Sequence, residues 1–228
     1  MPAQIQILSA GAVQPGLSKV IELFRRESGD EVIVNFATAP AIAKRIGAGE
    51  IFDIAITPQQ VIEELATQEK IASGNRATLG RIGVGVMIRT GAPLPNIATV
   101  EALTAALISA DSLVFNQAST GLYLENLFDQ LNIAEQVKNK TTRYPDFSAV
   151  LAHVSGGQGN EIGFGATTVI IENTSKGICF VGPLPAEIQN YTTYTAALTP
   201  NANDAARTLL HYFATPAAKA IFTAAGIE

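Results

Sequence analysis

Apolar and polar positions along the chain change period repeatedly, and each change marks an element. Gln4–Leu8 reads as a strand, followed by the small loop Ser9-Ala10-Gly11-Ala12. Leu17, Val20, Ile21 and Phe24 then recur at helical spacing, and Gly29 is placed to end that helix in a left-handed conformation. Glu31–Phe36 is a run of the buried-strand type, and Ala37-Thr38-Ala39-Pro40 leads into a short helix through Ile42, Ala43 and Ile46. Ile51–Ile56 predicts a third strand, with Pro58 in the first turn of the helix carrying Val61, Ile62 and Leu65. Strands apolar on both faces, alternating with helices, imply a parallel sheet covered on both sides. The opening is therefore α/β.

The same alternation returns further on. Ile82–Arg89 predicts a strand, Thr99 a helix cap, Ser112–Asn116 a short strand, and Gln117 to Gly121 a loop feeding a helix from Leu122. Phe147–Val154 reads as a helix, Glu161–Phe164 and Gly177–Val181 as strands, and Tyr191–Leu198 as a strand of alternating Thr and Tyr. The tail from Asn203 to Ile227 is helical, and Pro216 restarts it. No repeat and no low-complexity linker divides the chain, so two α/β lobes sharing strands are expected.

Composition narrows the function. The 228 residues hold 15 Lys and Arg against 20 Asp and Glu, a net charge of -5. That balance argues against a general nucleic-acid binder, which needs a basic surface. With 47% apolar and only 15% charged residues, the chain can bury a large core. No apolar run reaches the roughly 18 residues of a membrane span, so no membrane insertion is expected. The lone Cys179 excludes an internal disulfide and reads as a small buried side chain. Two histidines far apart give no metal pattern, and neither a metal nor a cofactor is expected. The clusters Gly80–Gly85 and Gly156–Gly159 lack the strand-to-helix setting of a nucleotide fingerprint and read as backbone turns.

Candidate chemistry lies where strands turn into helices, the usual ligand position in open α/β sheets. Three such loops are small and hydroxylated: Ser9-Ala10-Gly11, Thr38-Ala39 and Ser119-Thr120-Gly121. Helix N-termini carry unpaired N–H groups that hold anions, and the hydroxyls add donors. The plain alternative is that Ser and Thr before helices are ordinary N-caps.

The stretches Ile7 to Ala12, Phe24 to Gly29 before Val32-Ile33-Val34, Ile42 to Ile56, Leu79 to Val86 and Val181 to Gln189 carry a family likeness. In their order and spacing the chain resembles the type II periplasmic solute-binding proteins, specifically the molybdate-binding-protein-like group. The resemblance implies two lobes, each a mostly parallel sheet flanked by helices, with a small anion held in a cleft between them and released by hinge motion. Residues 1–86 and 189–228 would form one lobe, and residues 87–188 the other. It further implies a monomer that serves a membrane permease and ATPase from the periplasm. No export signal precedes Gln4 here, which fits either a removed signal or a cytoplasmic protein. Ser9 matches the oxyanion-binding serine, Thr38 and Ala39 fall where molybdate binders place another, and Thr120 to Tyr123 match the segment that donates a backbone N–H. Ala166, followed by Thr167 and Thr168, stands where molybdate binders carry a tyrosine, which makes a carboxylate ligand as good a fit as a tetrahedral oxyanion.

The same group resembles aconitate isomerases, so an isomerase of an unsaturated tricarboxylate is the alternative. Its base would come from His153, His211, Glu161 or Tyr123. Its charge would come from Arg81, Arg89, Lys44 or Arg143, each of which otherwise reads as a solvated surface group.

Overall fold

The computed structural model describes residues 2–72, 74 and 76–228. The chain separates into two compact units, Met1–Ile82 with Thr192–Glu228, and Gly83–Tyr191. In the first, strands β1 (Gln4–Ala10), β2 (Glu31–Ala37) and β3 (Ile54–Pro58) alternate with helices α1 (Gln14–Ser28), α2 (Ala39–Gly47) and α3 (Gln59–Thr67). Strand β4 (Arg76–Arg89) carries the chain into the second unit. There α4 (Val100–Ser109), β5 (Ser112–Asn116), α5 (Ser119–Gln130), α6 (Ala134–Val137), β6 (Thr141–Tyr144), α7 (Phe147–Gly156), β7 (Glu161–Ala166), α8 (Thr167–Glu172) and β8 (Ile178–Pro183) follow. Strand β9 (Tyr191–Leu198) returns the chain to the first unit, which ends with α9 (Asp204–Tyr212) and α10 (Pro216–Ala224).

In the first unit β1 runs parallel to β2 and β3, and β9 runs antiparallel to β3. In the second, β5 is parallel to β6 and β7, while β4 is antiparallel to β7 and β8. Alternation along these strands feeds two cores. Val84, Val86 and Ile88 of β4, with Leu113 and Phe115 of β5, meet Leu103, Leu107, Leu124 and Phe128 from α4 and α5. Met87 and Val114, the intervening residues, meet Val150, Val154 and Ile170 from α7 and α8. A period of two with both faces apolar is what covers this sheet on both sides. Helix α7 sits close because the strand below it is thinned: a Cβ at Gly163 would lie 2.7 Å from Val154, and one at Gly165 2.7 Å from Phe147.

Most predicted elements are present, with informative differences. Gly29 takes φ +75° and ends α1 as expected, its N–H donating to Arg25 O at 3.0 Å. The third strand begins at Ile54 rather than Ile51, because Asp53 is occupied otherwise. Asp53 N donates to Gln6 O and Asp53 Oδ2 accepts from Gln6 N, both at 2.8 Å, while Thr199 N donates to Asp53 O at 2.9 Å. Ile51 is left 88% exposed, outside the strand that its apolar character suggested. Ser119, Thr120 and Gly121 are the first turn of α5, not a loop before it. Strand β6 and helix α8 are additions. Both are short, and the β-branched run Thr167 to Ile171 carries little helical signal. Cys179 is half-buried, against the edge of the α4–α5 core.

The last residues pair with β4. Arg81 N donates to Glu228 O at 2.7 Å and Glu228 N returns a bond to Arg81 O at 3.0 Å. Gly80 has φ +151°, and a Cβ there would lie 2.6 Å from Glu228 O. Gly80→Ala is therefore expected to cost about 1–3 kcal/mol through strain and displaced pairing. It should lower the urea midpoint at unchanged m-value, and a wild-type midpoint would contradict this account.

Candidate functional site

Strands β1, β2 and β3 end at one edge of their sheet, since Ala10 pairs with Ala37 and Ser9 with Ile56. Ser9 is wholly buried, and its hydroxyl donates to Ala10 O at 3.2 Å. Ala10 caps the 3-10 turn Gly11–Val13 that leads into α1, and Thr38 stands at the N-cap of α2 with Ala39 as its first residue. In the second unit β5 and β7 also end at a shared edge. There Ala118 is the N-cap of α5 and Ala166 that of α8, which begins with Thr167.

Side-chain capping differs among the helices. Four helices have an N-cap side chain accepting from the first turn. Thr99 accepts from Ala102 N, Asp146 from Ala149 N, Asn203 from Ala206 N and Thr215 from Ala218 N. No side chain caps α1, α2, α3, α5 or α8, which follow strands β1, β2, β3, β5 and β7, nor the four-residue α6, which follows α5. The Thr38 hydroxyl, which the ordinary reading would make a cap, accepts no such bond. A side-chain cap contributes about 0.5–2 kcal/mol. An uncapped helix N-terminus can hold an anion through its positive end. Helix α7 shares the second edge, but Asp146 already fills its N-terminus.

The α5 terminus is held by close contact. Gln117 N donates to Tyr144 O at 2.8 Å, Asn116 Oδ1 accepts from Ala118 N at 3.3 Å, and a Cβ at Gly121 would lie 2.0 Å from Asn116 O. One turn on, the Tyr123 hydroxyl donates to Ile188 O at 2.5 Å, and burial pushes its phenol pKa up. The Gln189 side chain next door accepts from Val84 N at 2.8 Å and donates to Val84 O at 3.0 Å, standing in for a strand partner.

The candidate base and charge residues are dispersed. His153 Nε2 lies 3.0 Å from Ser112 Oγ and its Nδ1 lies 2.8 Å from Tyr144 Oη, so both ring nitrogens are engaged. Ser112 and Glu161 face each other at the starts of β5 and β7, away from Ser119 and Ala166. Glu161 accepts from Gly159 N at 2.8 Å and holds the turn before β7. Arg81 and Glu228 side chains approach to 3.5 Å. His211 and Lys44 are exposed, the half-buried Arg89 donates to Thr90 O, and Arg143 pairs with Glu125 at 2.7 Å. A cavity of about 540 Å³ opens between α4 and the start of β7, lined by Ile88, Leu94, Ala102, Ala106 and Ile162. It is mostly apolar, and of the residues singled out from the sequence only Glu161 lines it.

Two residues at the first edge escaped sequence reasoning. Thr57 and Thr195 face each other across β3 and β9, are 0% and 3% exposed, and neither hydroxyl has a hydrogen-bond partner. An unmet buried hydroxyl costs about 1–3 kcal/mol. The available signal was a hydroxyl at the end of an otherwise apolar strand, hidden because the strand was expected to stop at Ile56.

Comparison with known proteins now bears on this geometry. The family model described as bacterial extracellular solute-binding protein matches residues 5–228. The chain belongs to this family. An aconitate isomerase of Pseudomonas sp is 28% identical over 228 residues, covering 95% of this chain and 85% of that protein. The molybdate-binding protein ModA of Escherichia coli (strain K12) is 23% identical over 226 residues, covering 96% and 86%. Among solved structures, the periplasmic molybdate-binding protein of Azotobacter vinelandii superposes with a TM-score of 0.78 at 16% identity, covering 98% of both chains. These likenesses support the molybdate-binding-protein-like group within the solute-binding family. Among the described residues, no helix is long and apolar enough to cross a membrane.

In this solute-binding protein the fit at Gly121 gives a direct test. Gly121→Ala must push the first turn of α5 off Asn116 and should cost about 1–3 kcal/mol. Gly11→Ala, where a Cβ would meet nothing within 4 Å, should stay within about 0.5 kcal/mol of wild type. Chemical denaturation of the two variants checks the contrast.

Proposed function

We propose that this solute-binding protein captures a small anion, an oxyanion or organic carboxylate, for ABC-type uptake through a membrane permease and ATPase. It would work in the periplasm as a monomer. The observation that carries this reading is the capping contrast. Thr99, Asp146, Asn203 and Thr215 close the N-termini of four helices, whereas no side chain caps those after β1, β2, β3, β5 and β7. In this reading Ser9, Ala10, Gly11, Thr38 and Ala39 in the first unit, and Ser119, Thr120, Gly121, Ala166 and Thr167 in the second, are the candidate ligand-binding residues. The relative named a molybdate-binding protein supports anion capture. Ala166, in place of a tyrosine hydroxyl, leaves room for a larger anion than molybdate.

A thermal-shift panel of molybdate, tungstate, sulfate, phosphate and small carboxylates tests the reading. A ligand at a hundred times its Kd adds about 2.7 kcal/mol, which for a chain of this size is a rise of about 5–10 °C. Thr120→Phe should remove the shift while leaving the unliganded melting temperature near wild type. If no anion in the panel shifts the transition, anion capture is wrong.

The 28% identical aconitate isomerase favours a second reading, proton transfer on an unsaturated tricarboxylate at the same residues. A base is the difficulty. Both His153 nitrogens are engaged, Glu161 holds a turn at the other end of β7, and the Tyr123 hydroxyl already donates to Ile188 O. Capture without turnover is therefore expected. Proton NMR of cis- and trans-aconitate incubated with the protein should show no interconversion above the uncatalysed rate, and turnover would assign the isomerase instead.

A further inference from the structure

The second unit holds a cavity of about 540 Å³ between α4, the start of β7 and the segment that follows β4. Ile88, Ala110 and Ile162, which are 3%, 5% and 3% exposed, reach it from the core. Helix α4 turns only Ala102, Ala105, Ala106 and Ser109 toward it, while its long side chains Leu103 and Leu107 pack into the core. The outer wall is fixed at both ends. Thr90 N donates to Gly177 O at 2.9 Å, and Ala92 N closes a turn on Arg89 O at 3.1 Å with Gly91 at φ +84°. At the other end Asn96 Oδ1 accepts from Ala98 N at 3.0 Å, just before the Thr99 cap of α4. Between these anchors Pro93 and Pro95 restrict the backbone, and Ala92 and Ile97 pack against the core. The wall is held without a ligand, so the cavity is preformed. Leu94, on the same wall, is 71% exposed.

We propose that this cavity is a ligand site of its own, taking a small uncharged molecule with an apolar body and a hydrogen-bonding group at one end. Its volume falls within the roughly 300–1,000 Å³ of small-molecule sites. Charge sets it apart from the anion site proposed above. Among the described residues no Lys or Arg lines it, and Glu161 is its single ionisable lining residue. That carboxylate is engaged by the loop before β7, where Oε1 accepts from Gln158 N at 3.1 Å and from Gly159 N at 2.8 Å. An anion would lose its hydration against Ala, Pro and Leu side chains with no cation to replace it. An apolar body gains from the same burial. Asn96, Ser109 and Asn160 are exposed on the lining and supply the polar end, since a carboxamide both donates and accepts. The cavity opens at the start of β7, whereas α8 leaves from its end at Ala166, five residues or about 17 Å further along. A molecule held here leaves the N-terminus of α8 free.

Fluorescence titration with N-phenyl-1-naphthylamine, an uncharged apolar probe, tests the proposal beside its anionic analogue 8-anilinonaphthalene-1-sulfonate. Wild type should bind the uncharged probe saturably and about tenfold or more tightly than the sulfonate. Octan-1-ol should displace it, and octanoate should not. Ala105→Trp fills the cavity from an exposed position, and Leu94→Asp places a charge on its outer wall. Each should weaken probe binding about tenfold or more while leaving the melting temperature near wild type. Should Ala105→Trp fail to fold, Leu94→Asp makes the same comparison. Absence of saturable probe binding, or binding that both variants leave unchanged, overturns this inference whether or not anion capture holds. Equal or tighter binding of the sulfonate overturns the uncharged class. Self-association of the unliganded protein that the probe reverses gives the cavity to a second copy and overturns the small-molecule site.

Discussion

A strand buried on both faces meets solvent and ligands only at its ends, and that constraint organises both units of this protein. Parallel strands all turn into their helices at the same edge, so the unpaired N–H groups of successive helices collect there. Elsewhere the chain closes its helix ends with Thr99, Asp146, Asn203 and Thr215. The helices after β1, β2, β3, β5 and β7 lack such caps, as does the four-residue α6. A side-chain cap is worth about 0.5–2 kcal/mol to a helix.

Polar side chains reinforce the contrast by what they do at other strand ends. Asp53 returns both hydrogen bonds that Gln6 would otherwise exchange with a strand, and Gln189 does the same for Val84. His153 ties the start of β5 to the end of β6 through Ser112 and Tyr144. Each of these buried or half-buried groups has its bonds accounted for. The buried hydroxyls of Thr57 and Thr195 have no such partner.

Charge tells a compatible story. The chain is acidic overall, with a net charge of -5, and a captured anion gains nothing from its general field. Arg143, on β6, is matched by Glu125 on α5 and contributes little net charge to that edge. For the proposed anion, attraction would be local, from helix ends and hydroxyls. A relative named for molybdate binding and another named for aconitate isomerisation show that this fold has been put to both uses. The fold by itself therefore does not choose between them.

The repeating α/β order, the Gly29 cap, the Thr99 cap and the hydroxylated strand ends were all legible along the chain, because each depends on neighbours three or four residues away. Four things were not. The start of β3 was misplaced because Asp53 bonds to Gln6 and Thr199, far apart in sequence. Strand β6 and helix α8 are too short to show a period. The role of Gly121 depends on a carbonyl five residues back that only the folded turn brings within 2.0 Å of its Cβ position. Thr57 and Thr195 lie 138 positions apart and meet only through antiparallel pairing. The sequence by itself determined which elements form and which residues stand where strands become helices, since local spacing and propensity govern those choices. Only the tertiary structure decided which of those hydroxyls act as caps and which are left unpaired, because a hydrogen bond is satisfied or not by whatever the fold places beside it.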